Sequence, residues 1–243
     1  MTDETDWTID DAALWLHRPT STDDKYSRGV LGVATGSERY PGAAVLGVEA
    51  AVRTGVGMVR YVGPDAVGTL VLQRRPEIVR GSGRVQAWLI GSGVDGEEPG
   101  AERTADFAHA LDDGVPVVVD AGALGAVASG VDGLAVLTPH AGELRRLLEA
   151  TGTSVEAEDI AGDRDRWARH AADATGAVVL LKGSRTVVAE PGGAVLRLPV
   201  ASPWLSTAGS GDVLAGVLGA VVASTADRID SPSALARAAA TGS

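Results

Sequence analysis

The chain has 243 residues, 45% hydrophobic and 22% charged, the balance of a globular protein long enough to bury one sizeable core. Asp and Glu outnumber Lys and Arg by 32 to 21, a net charge of −11, which repels nucleic-acid backbones and leaves local anion binding by backbone N–H groups open. Cysteine is absent, which excludes disulfides, thiolate metal sites and Cys nucleophiles; the acidic start and the lack of any apolar run of membrane length predict a cytoplasmic protein.

Residues 1–24 read as an acidic arm with one short helix over Ile9–Leu16, and 25–243 as a single catalytic domain. From Val30 onward strand and helix signals alternate. Val30–Ala34 is an apolar strand run closed by Thr35-Gly36-Ser37. Pro41 then opens a helix that carries Ala44, Val45, Val48, Ala51 and Val52 at helical spacing, with Gly55 to close it. Met58–Val62 and Ala87–Ile90 are strands, Glu102–Leu111 a helix, Val117–Val119 a β-branched strand ending at Asp120. Ala135–Leu137 is a strand ending at Thr138-Pro139-His140, followed by helix Glu143–Leu148, the amphipathic helix Asp163–Thr175 and the buried strand Val178–Leu181. Thr186–Ala189 and Ala194–Leu198 form a hairpin about Pro191-Gly192-Gly193. Val213–Val222 carries a strong apolar stripe, and Ala234–Ala240 reads as a helix cut short at Thr241-Gly242-Ser243. Short, wholly apolar strands alternating with helices predict an α/β fold, a mostly parallel central sheet covered by helices on both faces. Ligands in such folds bind beyond the carboxyl ends of the strands, so the loops there carry the functional signal.

Four of these loops stand out. Ser206-Thr207-Ala208-Gly209-Ser210-Gly211-Asp212 opens a helix, and its small residues let N–H groups converge on an anion at a positive helix end. Asp212 there serves either as a cap or as a base toward a hydroxyl. Lys182-Gly183-Ser184-Arg185-Thr186 follows a buried strand, and Lys182 is one of only two lysines, with Lys25; it reads as a solvated strand-end cation or a phosphate ligand. Thr138-Pro139-His140-Ala141-Gly142-Glu143 holds the one histidine in such a loop, His109 and His170 falling in helices and His17 in the arm. Here the structural reading is a helix start with Glu143 as first-turn acid. Gly36-Ser37-Glu38-Arg39-Tyr40-Pro41-Gly42-Ala43-Ala44 is either a plain tight turn or a backbone surface for a polar ligand. Gly91-Ser92-Gly93-Val94-Asp95-Gly96 fits a dinucleotide fingerprint with Asp120 as its acid, but Glu97-Glu98-Pro99-Gly100 places acid and a helix breaker where the phosphate-binding helix should start.

Together these loops, in this order, resemble the NAD(P)H-hydrate dehydratases of the YjeF C-terminal family, over about residues 25–240. The resemblance implies a ribokinase-like three-layer sandwich. It implies an enzyme, a carbon–oxygen lyase, that phosphorylates the ring hydroxyl of (S)-hydrated NADH or NADPH and eliminates phosphate. ADP or ATP is the donor, ADP giving AMP, and Mg2+ assists. By position, Ala43, Gly93, His140 and Asp212 would bind the hydrate. Lys182, Gly183, Ser184, Arg185, Thr186 and Gly211 would hold the adenine nucleotide. Asp212 would act as base, Gly209 and Gly211 would supply anion-hole N–H groups, and Glu143 would organise metal, through water. The family also implies a homo-oligomer, often a tetramer, working alongside an NAD(P)H-hydrate epimerase. The chain departs from the family at Ser210, at Ser92 and at Gly122, where an Asp is usual. Two rivals remain: a ribokinase-like kinase for another small molecule, such as a vitamin precursor, with the same Asp212 and anion hole, and a non-catalytic adenine-nucleotide binder, which needs no base.

Overall fold

A computed structural model describes residues 4–16, 18–95 and 100–243. The strands are β1 (Glu4–Asp6), β2 (Val30–Ala34), β3 (Met58–Tyr61), β4 (Val79–Arg80), β5 (Ala87–Ile90), β6 (Val117–Val119), β7 (Ala135–Leu137), β8 (Val178–Leu181), β9 (Arg185–Ala189) and β10 (Val195–Val200). They form one sheet in the order β1-β10-β9-β8-β7-β6-β5-β2-β3-β4. All neighbours are parallel except where β9 runs antiparallel to β8 and to β10, the hairpin expected from Pro191-Gly192-Gly193. The helices are α1 (Ile9–Trp15), α2 (Pro41–Thr54), α3 (Asp65–Arg74), α4 (Ala101–Asp112), α5 (Ala141–Ala150), α6 (Ala157–Gly162), α7 (Arg164–Thr175), α8 (Ser210–Ser224) and α9 (Pro232–Thr241). None among the described residues is long and apolar enough to cross a membrane.

Alternation along each strand divides the core into two. Leu31, Val33, Leu89, Val118 and Val136 face the layer that includes Val48 of α2, Leu218 of α8 and Leu235 of α9. Val30, Ala34, Trp88, Ile90, Val117 and Val119 face Phe107 of α4, Leu144 of α5 and Ala168 of α7. Both faces are therefore dry, which is why the strands read as unbroken apolar runs. Each full burial of a Val or Leu side chain contributes about 1.5–3 kcal/mol.

Within the stretch expected to form an acidic arm, residues 4–16 dock on the domain. β1 pairs in parallel with β10, Trp7 and Trp15 pack on the core, and the Arg228 guanidinium lies 4.4 Å from the Trp15 ring centre. The missing apolar pattern hid β1, because its hold is backbone pairing at the edge rather than burial.

The chain winds outward from β2 in two directions, through β3 and β4 on one side and β5 to β8 on the other. The point of reversal lies between β2 and β5, the place where folds of this kind form a ligand crevice. α8 crosses α2 above that crevice at a glycine pair. A Cβ on Gly216 would stand 2.1 Å from the Gly47 carbonyl oxygen. Gly216→Ala should therefore lower stability by about 1–3 kcal/mol through overpacking, seen as a lower urea midpoint. The same crossing fixes the start of α8, since a Cβ on Gly47 would lie 3.4 Å from the Asp212 carbonyl oxygen.

Candidate active site

Four adjacent strands deliver one polar residue each to a common point. Asp120, at the end of β6 and 3% exposed, accepts hydrogen bonds from three of its neighbours' strand ends. Ser92 Oγ after β5 donates to Oδ2 at 2.8 Å. Thr138 Oγ1 after β7 and Lys182 Nζ after β8 donate to Oδ1 at 2.7 and 2.8 Å. A buried carboxylate is tolerated because both its oxygens are hydrogen-bonded, one of them to a cation. Lys182 Nζ also stands 3.7 Å from Glu143 Oε2. Burial works against its charge, but the carboxylates of Asp120 and Glu143 outweigh it and hold the ammonium pKa above its ordinary value.

Lys182 reaches toward the first turn of α8, where a Cβ on Gly211 would lie 3.8 Å from Nζ. That helix starts at Gly209 in the left-handed region, φ 88°, and no side chain caps it. Its first N–H groups and the positive end of its dipole face the crevice beside an ammonium, the arrangement that binds anions. Asp212 sits in the same turn. Burial first, and then the charge of Asp120, raises its carboxyl pKa, while Lys182 pulls the other way.

His140 and Glu143 start α5 as a reciprocal cap. The Glu143 carboxylate accepts from the His140 N–H at 2.8 Å, and His140 Nδ1 accepts from the N–H groups of Gly142 and Glu143 at 3.0 and 3.3 Å. The structural reading of this loop is thus met, and it does not exhaust His140. With Nδ1 used as acceptor, the ring carries its proton on Nε2, which stands 3.5 Å from Glu143 Oε1 on a half-exposed ring.

The glycine-rich loops after β2 and β5 interlock at the reversal point. Gly36 N–H donates to the Ser92 carbonyl at 2.7 Å and Ser37 Oγ to the Gly93 carbonyl at 2.8 Å. Gly93, at φ 67°, is pressed on Ala43 so closely that a Cβ there would lie 2.4 Å from the Ala43 methyl. Gly122, where the family resemblance leads one to expect an acid, has no room for one in this chain, since its Cβ would stand 2.2 Å from the Val94 carbonyl oxygen. Beside it Ala121 takes φ 43°, a strained setting for a residue with a side chain. On the other flank, Arg164 donates to the carbonyls of Leu181, Lys182 and Arg185 at 2.9, 2.9 and 3.1 Å, pinning the loop 182–186. Ala201 N–H ties the segment after β10 to the Ser184 carbonyl at 2.8 Å.

Most of the sequence-predicted residues thus fall around one crevice, whereas Arg185 lines a separate cleft with Trp7, Thr8 and Arg197. Ala43 and Gly93 form one wall, His140 and Glu143 the next, then Lys182 and its loop, then Gly209, Gly211 and Asp212. Asp120, Ser92 and Thr138 form the floor, and the sequence reading assigned them no role in it. Asp120 read there as the acid of a dinucleotide fingerprint; it is instead the partner of Lys182. The acidic stretch that argued against that fingerprint, residues 96–99, lies outside the described residues. A cleft of about 620 Å3 runs on from this crevice along α5, with Tyr40, Val94, Gly122, Leu124, Glu143 and Leu147 among its walls.

The chain is 46% identical over 226 residues to a bifunctional NAD(P)H-hydrate repair enzyme, Nnr, of Mycobacterium tuberculosis, covering 88% of this chain and 45% of the relative. It is 44% identical over 224 residues to the enzyme of that name from Mycobacterium leprae, with 88% and 45% coverage. The chain spans about half the length of these curated relatives. Its structure superposes on an ADP/ATP-dependent NAD(P)H-hydrate dehydratase from Bacillus subtilis, co-crystallized with ATP and Mg2+, with a TM-score of 0.82, 26% identity and coverage of 97% of this chain and 85% of that one. A ribokinase-like superfamily protein from Enterococcus faecalis shares the fold with a TM-score of 0.81 at 19% identity, covering 98% and 85%. The profile of the NAD(P)H-hydrate dehydratases matches residues 31–243, and the chain belongs to that family.

Proposed function

We propose that this chain restores (S)-hydrated NADH and NADPH to the reduced dinucleotides at the expense of ADP or ATP. The observation that carries the reading is the start of α8: an uncapped helix N-terminus with a raised-pKa carboxylate, Asp212, in its first turn and the Lys182 ammonium beside it.

Asp212 takes the proton of the ring hydroxyl as its oxygen attacks the terminal phosphorus of the nucleotide. The bond from that phosphorus to the bridging oxygen breaks, so that ADP leaves AMP. The N–H groups of Gly209 and Gly211 and the Lys182 ammonium meet the charge on the migrating phosphoryl group. Phosphate, unlike hydroxide, is a good leaving group. The ring nitrogen's lone pair expels it, and loss of a proton from the adjacent carbon completes the double bond. Ala43 and Gly93 present a flat surface to the ring, and His140 offers its Nε2–H. The loop from Lys182 to Thr186, held by Arg164, supports the adenine nucleotide.

Mg2+ asks little of a protein, one or two carboxylates and the phosphates of the substrate. Glu143, 3.7 Å from Lys182 Nζ, suits that demand through water, and the ion would neutralise phosphate charge. The expected setting is a homo-oligomer acting beside an epimerase that supplies the S form; the bifunctional names of the mycobacterial relatives support the second half of that statement.

The test is absorbance at 340 nm with hydrated NADH, Mg2+ and either nucleotide. A nucleotide-dependent rise with release of AMP or ADP is the expected result. A flat trace with nucleotide bound transfers the site to a ribokinase-like kinase of another hydroxyl compound.

A further inference from the structure

The turn from β8 to β9 is held by a residue that stands behind it. The ladder between the two strands closes at Leu181 and Val187, and the turn itself leans on a side chain from another element. Arg164, the first residue of α7, donates from Nη2 to the Leu181 and Lys182 carbonyls, at 2.9 Å each, and from Nε to the Arg185 carbonyl at 3.1 Å. Among the described residues none of its hydrogen bonds goes to a carboxylate. Burial works against its charge and lowers the guanidinium pKa, with Asp165 pulling the other way. A cation in the first turn of a helix also faces the positive end of the dipole. Neither burial nor helix formation therefore favours an arginine here.

Its effect lies in the peptide planes. In a trans peptide the N–H points opposite the C=O. The Leu181 carbonyl faces Arg164, and the N–H of the same peptide, that of Lys182, donates away from it to the Pro139 carbonyl at 2.8 Å. The Lys182 carbonyl faces Arg164 too, so the Gly183 N–H also points away from the guanidinium, and it meets no acceptor among the described residues. Gly183 makes room for the arginine, since a Cβ there would stand 2.7 Å from Nη2.

We propose that Arg164 is a positioning residue for the phosphoryl donor, setting the Lys182–Gly183 peptide so that its N–H faces the phosphates of the nucleotide. The inference rests on the placing of the adenine nucleotide at residues 182–186 and adds a residue that never touches it. The guanidinium charge reaches the ligand through the aligned peptide dipole. The glycine of this loop serves the arginine behind it rather than the nucleotide in front.

The experiment is calorimetric titration of the full chain with ADP and Mg2+, beside steady-state kinetics with ADP and hydrated NADH, for R164M, R164K, G183A, the double variant R164M/G183A, and R166M. Arg166 lies over the Trp167 ring at 5.0 Å and is the control. In R164M the Kd and KM for ADP should rise about tenfold, the loss of a charge-assisted arrangement, with kcat and the KM for hydrated NADH near wild type. R164K, charged but without the fork, should fall between, and R166M should match wild type. The G183A methyl displaces the guanidinium, so G183A should reproduce R164M, and the double variant should bind ADP no more weakly than either single one. Additive losses put the methyl against the nucleotide itself and overturn the proposal. An unchanged ADP Kd in R164M, whatever its urea midpoint, overturns it as well, and so does an equal loss for ADP and hydrated NADH. Should R164M fail to fold, an unchanged ADP Kd in G183A has the same force. If the wild type binds ADP and turns over no hydrate, the dehydratase reading falls and the titration alone decides: weaker binding to R164M retains the proposal, and equal binding removes it.

Discussion

Asp212→Asn should lower kcat by roughly a hundred- to ten-thousand-fold, the span of a lost general base, while adenine-nucleotide binding survives. The amide keeps the shape of the first turn of α8 and its N–H groups, and so the anion cradle, and removes only the proton acceptor. Rapid-quench measurement of the phosphoryl step, beside calorimetric titration with ADP, separates the two effects. A kcat within a few-fold of wild type would reduce Asp212 to the helix-start acid that its position alone suggests. The pH profile carries the same information. A base works only when deprotonated, so kcat rises with pH through its pKa. Burial and then the Asp120 charge hold that pKa above the usual aspartate value, so the acid limb should lie higher than for an exposed Asp. In Asp120→Asn the limb should move down, because the neighbouring negative charge is gone.

The second large effect is on stability. Asp120→Ala should cost about 3–5 kcal/mol, the usual penalty for breaking a buried pair from one side, measured by urea unfolding. Three donors lose their acceptor together: the Lys182 ammonium and the hydroxyls of Ser92 and Thr138. Removing both charges, in Asp120→Ala with Lys182→Met, should cost less than the sum of the single changes. The pair also has a direction in pH. The folded pKa of Lys182 is raised, so its contribution is complete below the unfolded lysine value and fades only as alkali passes the folded one.

Much of the layout is written plainly in the chain. β2, β5, β6 and β8 are apolar from end to end because both faces are covered, and α2 announces itself with Pro41 at its start and Gly55 at φ 98° after its end. α3 and the two-residue β4 carry no such punctuation, since α3 begins at Pro64 without a side-chain cap. The 3-10 turn Ala121–Val127 reads as loop for the same reason. The rim of the site was legible because Lys182, His140, Glu143 and Asp212 each follow a recognisable strand or open a helix. The floor was not. Asp120 meets Thr138, Ser92 and Lys182 across separations of 18, 28 and 62 residues, and only the order of strands in the sheet makes them neighbours. A lysine beside a glycine at a strand end suggests a phosphate ligand; that a buried acid steadies it is a fact of the third dimension.

The pairing of β1 with β10 sets an order of events during synthesis. Glu4 lies opposite Val195 and Asp6 opposite Arg197, so the first strand has no partner until nearly two hundred residues have followed it off the ribosome. The strands from β2 to β8 pair over shorter spans and can assemble without it. Until β10 and then α9 arrive, Trp7 and Trp15 wait with no core to cover. Their shift from a wet to a dry setting is therefore a clock for the last step of folding, one that intrinsic fluorescence can read.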